Sequence, residues 1–340
     1  MSSRRARASL FCPGRGSYTE KTLRSIHAGD AGHPLARRAE ELRAAAGLES
    51  LAALDQAPRF DPGRHLLPVN AAALIWLVTL IDAERAAAEH ELVCVGGNSM
   101  GWYTALAVSG ALDFEDGFAL VQTMARLQQE EAARSGGGQV LYPLVGDDWR
   151  AEPERARAVE AALESARGEA FRSIELGGYA VLAGSEAGIA HLLAALPRVK
   201  LGSTPYPFRL VQHGPYHTPL AAPVAARARS ELSGLSFRRP RVALVDGLGR
   251  LHTPWAADPE ELRAYTLGTQ IVAPYRFDRS VRVAQRELAP ELVVLPGPGN
   301  TLGGIFGQIA CAERWRGIAT KAEFEAVQAS DDPLVASMRR

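Results

Sequence analysis

Two rhythms of apolar and polar positions alternate along this chain. Short aliphatic runs at 9–12, 92–96, 242–246 and 292–295 have the length and unbroken apolar character of strands buried on both faces. Between them lie long Ala/Leu/Arg/Glu stretches with helical spacing, and 71–81 is apolar enough to predict a helix buried on all sides. Strand, turn and helix in repetition predict an α/β fold with a largely parallel sheet.

The stretch from 136 to 206 reads differently. It predicts a strand at 139–145, an amphipathic helix at 153–166, one or two strands at 173–183 around Gly177-Gly178, a second helix at 185–196 and a strand at 199–204. That order describes a small α+β unit with a split βαβ pattern. The expected division is therefore a discontinuous large domain, 1–133 and 207–320, with an insert at 134–206. The segment 321–340 has no evident partner and is expected as a C-terminal tail, either a surface helix or loose.

Composition narrows the function classes. Hydrophobic residues are 47% and charged residues 22% of 340, which is ordinary globular usage. Lys+Arg and Asp+Glu both total 38, so the basic excess of a nucleic-acid binder is missing. The basic start (Arg4, Arg5, Arg7) has no apolar stretch behind it and does not read as a secretory signal. The run 71–81 is shorter than the roughly 20 residues that span a bilayer, so no membrane role is expected. Cys12, Cys94 and Cys311 are far apart and form no CxxC, which points to buried reduced thiols and a cytoplasmic location.

One motif carries chemistry. Gly97-Asn98-Ser99-Met100-Gly101 matches G-x-S-x-G and lies between a predicted strand and a predicted helix. A serine on so tight a turn projects its Oγ from the sheet edge at a helix N-terminus, where free backbone N–H groups favour an oxyanion. The Met100 N–H is the expected first oxyanion donor. A serine needs a base, and of eight histidines His217 stands out: 213–220 reads His-Gly-Pro-Tyr-His-Thr-Pro-Leu, an irregular backbone leading into a helix. His213 is its nearest rival. The elbow alone does not separate an acyltransferase from an α/β-hydrolase.

Four separated segments together resemble the malonyl-CoA:acyl-carrier-protein transacylases and the related acyltransferase domains of polyketide synthases. Cys12-Pro13-Gly14-Arg15-Gly16-Ser17 is similar to that family's first loop, F-P-G-Q-G-S. Residues 97–106 resemble its G-H-S-L-G-E-Y-x-A-L elbow, 214–220 its G-x-x-H-x-x-L base motif, and 295–304 its late G-P-G-x-x-L-x-G loop. The resemblance spans residues 8 to 310. It implies a large α/β-hydrolase-like domain with a parallel sheet plus a small inserted ferredoxin-like α+β subdomain. It also implies that His217 activates Ser99, that the backbone N–H groups of Met100 and Arg15 hold the oxyanion, and that the Gln270 carbonyl orients the base. An acyl-CoA is then the donor and an acyl carrier protein the acceptor, with no metal or other cofactor.

Departures from the family pattern cluster at the acyl pocket, where Met124, Asn70, Trp102 and Glu175 are the expected residues. Met124 stands, by ungapped counting from Ser99, where malonyl-specific members have a carboxylate-binding arginine. A thioether cannot pair a carboxylate, and burying that charge alone costs several kcal/mol. Arg126 is two positions on, roughly 200° around a helix, and should face elsewhere. A neutral, non-malonyl acyl group is therefore expected. Asn70 replaces a pocket glutamine, Trp102 adds bulk at the mouth, and Glu175 replaces a small-lobe asparagine where it could neutralise Arg15. Alternatively Arg15 itself supplies the missing cation. Two other functions remain open: a thioester hydrolase acting on acyl carrier proteins, and a non-catalytic homologue that only docks a carrier protein.

Overall fold

The computed structural model describes residues 4–339; the expected outer bounds at residues 1 and 340 lie outside the described residues. Among the described residues thirteen strands occur in chain order: β1 (Arg7–Cys12), β2 (Glu91–Gly97), β3 (Gly138–Pro143), β4 (Ala170–Leu176), β5 (Tyr179–Gly184), β6 (Val199–Leu201) and β7 (Thr204–Tyr206). They continue as β8 (Phe208–Arg209), β9 (Ala243–Val245), β10 (Leu251–His252), β11 (Tyr275–Arg276), β12 (Leu292–Leu295) and β13 (Val335–Ser337). A six-stranded sheet runs β10-β9-β2-β1-β12-β13, parallel except for β10. Its apolar strands need cover on both faces, which the long helix Pro68–Glu89 and its neighbours supply. Phe11, Phe277 and Phe306 pack edge to face at 4.9–5.8 Å, joining β1 to the helices Phe277–Leu288 and Gly303–Glu313.

A second sheet, β11-β4-β5-β3-β8, is antiparallel apart from the β11–β4 pair. The helices Pro153–Ser165 and Glu186–Ala195 pack on it around a separate core of Val140, Tyr142, Val159, Leu182 and Leu192. Two features differ from the expected insert at 134–206. Residues 199–206 form their own hairpin, β6–β7, and both edges of the sheet, β8 and β11, come from beyond residue 206. Each edge is only two residues long, too short to register as an apolar run.

Of the two alternatives expected for 321–340, the surface helix forms and the loose end does not. Residues Lys321–Gln328 form a helix capped by a Thr320–Glu323 capping box, and its Phe324 is buried against Trp149. Beyond it β13 closes the edge of the main sheet beside β12, and Arg339 is buried. A three-residue strand carries no periodicity to read, and its partner is decided by the open edge of β12.

The strand order decides where chemistry can happen. β1, β2 and β12 lie side by side and parallel, with Cys12 opposite Gly97 and Leu10 opposite Val294. Their carboxyl ends therefore deliver three turns to one place: residues 13–17, the turn at 98–100 and residues 296–302. Crevices at the carboxyl ends of such strands are where open α/β sheets bind ligands.

Candidate active site

The turn after β2 is held by glycines for steric reasons. A Cβ on Gly97 would lie 2.2 Å from the Gly101 carbonyl carbon, and one on Gly101 would lie 2.1 Å from the Cys12 carbonyl oxygen. The helix Gly101–Val108 thus starts directly against β1 and β2, and Ser99 between the glycines takes φ +56°. Left-handed backbone at a serine is strained, and here it turns Oγ toward the cavity. The first loop is seated on the same turn: Asn98 N–H donates to the Cys12 carbonyl at 3.0 Å, and a Cβ on Gly14 would meet the Asn98 carbonyl oxygen at 3.0 Å.

His217 arrives from the other side of the cavity, also in the left-handed region at φ +57°. Its Nε2 accepts from Ser99 Oγ at 2.7 Å, and its Nδ1 lies 2.7 Å from the Gln270 carbonyl. A carbonyl can only accept, so Nδ1 carries the proton and Nε2 presents its lone pair to the serine. Burial pushes His217 down to about 4, partly offset by the Gln270 carbonyl, which favours the charged ring. The imidazole is therefore neutral at pH 7. Gln270 is fixed in turn: its side chain accepts from Tyr103 Oη at 2.8 Å and donates to the Ser99 carbonyl at 3.2 Å. Met100 and Arg15 both border the cavity, and the backbone N–H of neither donates to a protein acceptor among the described residues. His213 also borders the cavity, but its Nδ1 lies on the Val211 carbonyl, 2.7 Å away. His252 is paired with Asp246 at 3.0 Å and buried, and it makes no contact with Ser99.

The cavity occupies about 540 Å³ between the two sheets. Leu141, Ile174 and Val181 of the small sheet line one wall, and Val224, Ile271 and Ile305 of the larger body line the other. The four expected acyl-pocket residues are a correction, because none of them borders it. Met124 is buried in the body, and Gln128, one helical turn further along Phe114–Ser135, faces the cavity instead. Trp102 is fully buried, its Nε1 donating to Thr266 Oγ1 at 2.9 Å and its ring standing edge-on to Tyr265. Asn70 accepts from the buried Arg43 guanidinium at 2.9 Å, alongside the Glu49 and Val69 carbonyls and Gln122 Oε1. Glu175 faces Arg276 at 4.0 Å rather than Arg15.

Arg15 does border the cavity, and is 9% exposed. Its guanidinium donates to Tyr216 Oη at 3.1 Å and to the Gln212 carbonyl, and no carboxylate lies within 4 Å of it among the described residues. Arg126 points outward to Glu130 and Glu231, as its helical offset requires. Sequence reasoning missed Gln128 and the Tyr103 support of Gln270; spacing gave access to both, four residues beyond Met124 and four beyond Ser99.

No family model matches the chain. Curated relatives do. It is 25% identical over 305 residues to the malonyl CoA-acyl carrier protein transacylase of Salmonella typhimurium, covering 87% of this chain and 91% of the relative. The Escherichia coli K12 protein of the same name is 25% identical over 300 residues, with the same coverage. The chain resembles the malonyl-CoA:acyl-carrier-protein transacylases over most of its length. Solved structures share the fold. The malonyl-CoA:ACP transacylase of Synechocystis sp. PCC 6803 superposes with TM-score 0.74 at 17% identity, covering 98% of this chain and 96% of that one. A malonyl-transacylase in complex with its type II polyketide acyl-carrier protein also gives 0.74, at 19% identity and the same coverage. The chain thus shares the α/β fold of these transacylases, with the cavity between its two sheets.

Proposed function

We propose that the protein is a serine-dependent acyltransferase that moves an acyl group from coenzyme A to the pantetheine thiol of an acyl carrier protein. The observation that carries this is the 2.7 Å contact between Ser99 Oγ and His217 Nε2 at the cavity wall. His217 takes the Ser99 proton as Oγ attacks the thioester carbonyl. The Met100 and Arg15 N–H groups receive the oxyanion, and His217 returns the proton to the departing CoA thiolate. The pantetheine thiol then gives its proton to His217 and attacks the acyl-serine carbonyl; the carbon–Oγ bond breaks, His217 returns the proton to Ser99 Oγ, and the new thioester leaves. Three unpaired, buried thiols suit a cytoplasmic setting for this chemistry, and no helix among the described residues is long and apolar enough to cross a membrane.

The acyl group in this proposal is neutral. The helix Phe114–Ser135 contributes Gln128, not a cation, to a cavity lined in large part by aliphatic and aromatic side chains. One observation favours a second reading: Arg15 borders the cavity with no carboxylate beside it, and an acyl carboxylate would complete it. Octanoyl-CoA and malonyl-CoA, each supplied with holo-acyl carrier protein, test both. Octanoyl transfer supports the neutral reading and malonyl transfer the Arg15 one. Release of free acid in place of acylated carrier protein would make the protein a hydrolase, and no turnover of either would sink the enzyme reading.

A further inference from the structure

Behind the cavity wall, a group of buried charges lies outside the proposed chemistry. Asp82, on the helix Pro68–Glu89, receives Arg339 twice, Nη2 to Oδ1 at 2.6 Å and Nε to Oδ2 at 2.7 Å. Arg339 also reaches Asp30 at 3.0 Å and the Ser25 carbonyl, and Asp30 is paired with Arg85. Two carboxylates and two guanidiniums thus balance in charge. Asp82 Oδ2 has one further partner, the backbone N–H of Gly297 at 3.0 Å.

That last bond leads to the site. Gly297 has φ +88°, and a Cβ there would come within 2.4 Å of Thr79 Oγ1 and 3.0 Å of Pro13 Cγ. A Cβ on Gly299 would lie 3.0 Å from the Ser17 carbonyl oxygen. The 296–299 turn is therefore packed between Asp82 and the first loop. Both sides of that contact border the cavity, through Gly14, Arg15 and Ser17 from the first loop and Thr301 and Leu302 just past the turn.

We propose that Arg339 and Asp82 are positioning residues for acyl transfer. The bidentate guanidinium holds the Asp82 carboxylate on the Gly297 N–H, which seats the 296–299 turn, and the turn seats the loop carrying the Arg15 N–H. The second part rests on the reading of that N–H as an oxyanion donor. Without Arg339, Asp82 and Asp30 keep only the half-exposed Arg85, whose Nη1 lies 3.5 Å from Asp82 Oδ1. Asp82 is then drawn toward Arg85 and the surface, which weakens its hold on the Gly297 N–H.

Amide hydrogen exchange on the full chain tests the clasp without a substrate. Arg339→Met should speed exchange at 14–17 and 297–302 together. Arg339→Lys, which keeps the charge but loses the fork, should speed the same two segments less, and it carries the comparison if the Met variant does not fold. Faster exchange confined to 335–339 would overturn the proposal. The catalytic part is read from acyl-serine formation with octanoyl-CoA well below each variant's unfolding midpoint. The maximal rate should fall about tenfold in Arg339→Met, with the half-saturating concentration nearly unchanged and Arg339→Lys in between. A wild-type rate per folded molecule alongside loosened loops would refute the link to catalysis. If the wild type itself forms no acyl-serine, the proposed function fails, and hydrogen exchange still decides the clasp.

Discussion

Adding one methyl group at Gly97 tests the geometry of the nucleophile turn. In Gly97→Ala the new Cβ would stand 2.2 Å from the Gly101 carbonyl carbon, 2.3 Å from its oxygen and 2.7 Å from the Trp102 nitrogen. Non-bonded carbons approach to about 3.5 Å, so the end of β2 and the start of the helix Gly101–Val108 must separate by about 1 Å. Neither side yields easily. Gly101 is already against the Cys12 carbonyl, and the Gly97 carbonyl accepts from buried Tyr275 Oη at 2.5 Å. Overpacking of this kind costs about 1–3 kcal/mol of stability. The same backbone carries Ser99 and the Met100 N–H, and a 1 Å misplacement of reacting groups costs about a hundredfold in rate. The assay pairs thermal unfolding with quenched intact-mass measurement of acyl-serine formation. We expect a folded variant, somewhat less stable, that acylates about a hundredfold more slowly. A folded Gly97→Ala with the wild-type rate would refute the claim that this close approach sets the position of Ser99.

Acyl selectivity should respond to Gln128 and not to Met124. Gln128→Arg should raise malonyl-CoA use relative to octanoyl-CoA by about tenfold, the worth of one charge-assisted hydrogen bond, read from competing acyl-CoA mixtures. Met124→Arg buries a cation without a partner and should lower stability by about 3–5 kcal/mol with no gain in malonyl use. Because burial depresses His217 to about 4, the acid limb of acylation kcat/KM should lie near pH 4; a limb near 6.5 would show a solvated imidazole. The same depression makes the unfolded chain bind a proton that the folded chain excludes, so this group's contribution to stability should fall as pH drops from 6.5 toward 4. Urea unfolding of wild type and His217→Gln across that range measures it. Trp102→Ala should cost about 3–5 kcal/mol as a core truncation and leave the ratio of octanoyl to malonyl use unchanged.

The Ser99 turn and the irregular segment that carries His217 were legible because their constraints are local. Small residues around Ser99, an apolar strand before it and a helix after it require one another within ten positions. The Gly-Pro backbone before His217 is equally confined in sequence. The acyl pocket was not legible in this way. Counting along Phe114–Ser135 selects a position but not the face that the small lobe will meet, and the cavity lies one turn beyond Met124, at Gln128. Trp102 sits next to the elbow in sequence yet turns into the body to reach Thr266. Asn70 is claimed by Arg43, whose burial could not be foreseen from a charged helical stretch. β8, β11 and β13 have two or three residues each, and only the open edges of neighbouring strands determine that they pair.

The central claim is that Ser99 carries the acyl group, and intact mass after exposure to acyl-CoA tests it most directly. Wild type and Ser99→Ala would each be mixed with octanoyl-CoA, quenched in acid and weighed. The account predicts one octanoyl adduct on the wild type, removable by holo-acyl carrier protein and missing from Ser99→Ala. An adduct that persists in Ser99→Ala would contradict it by placing the nucleophile elsewhere.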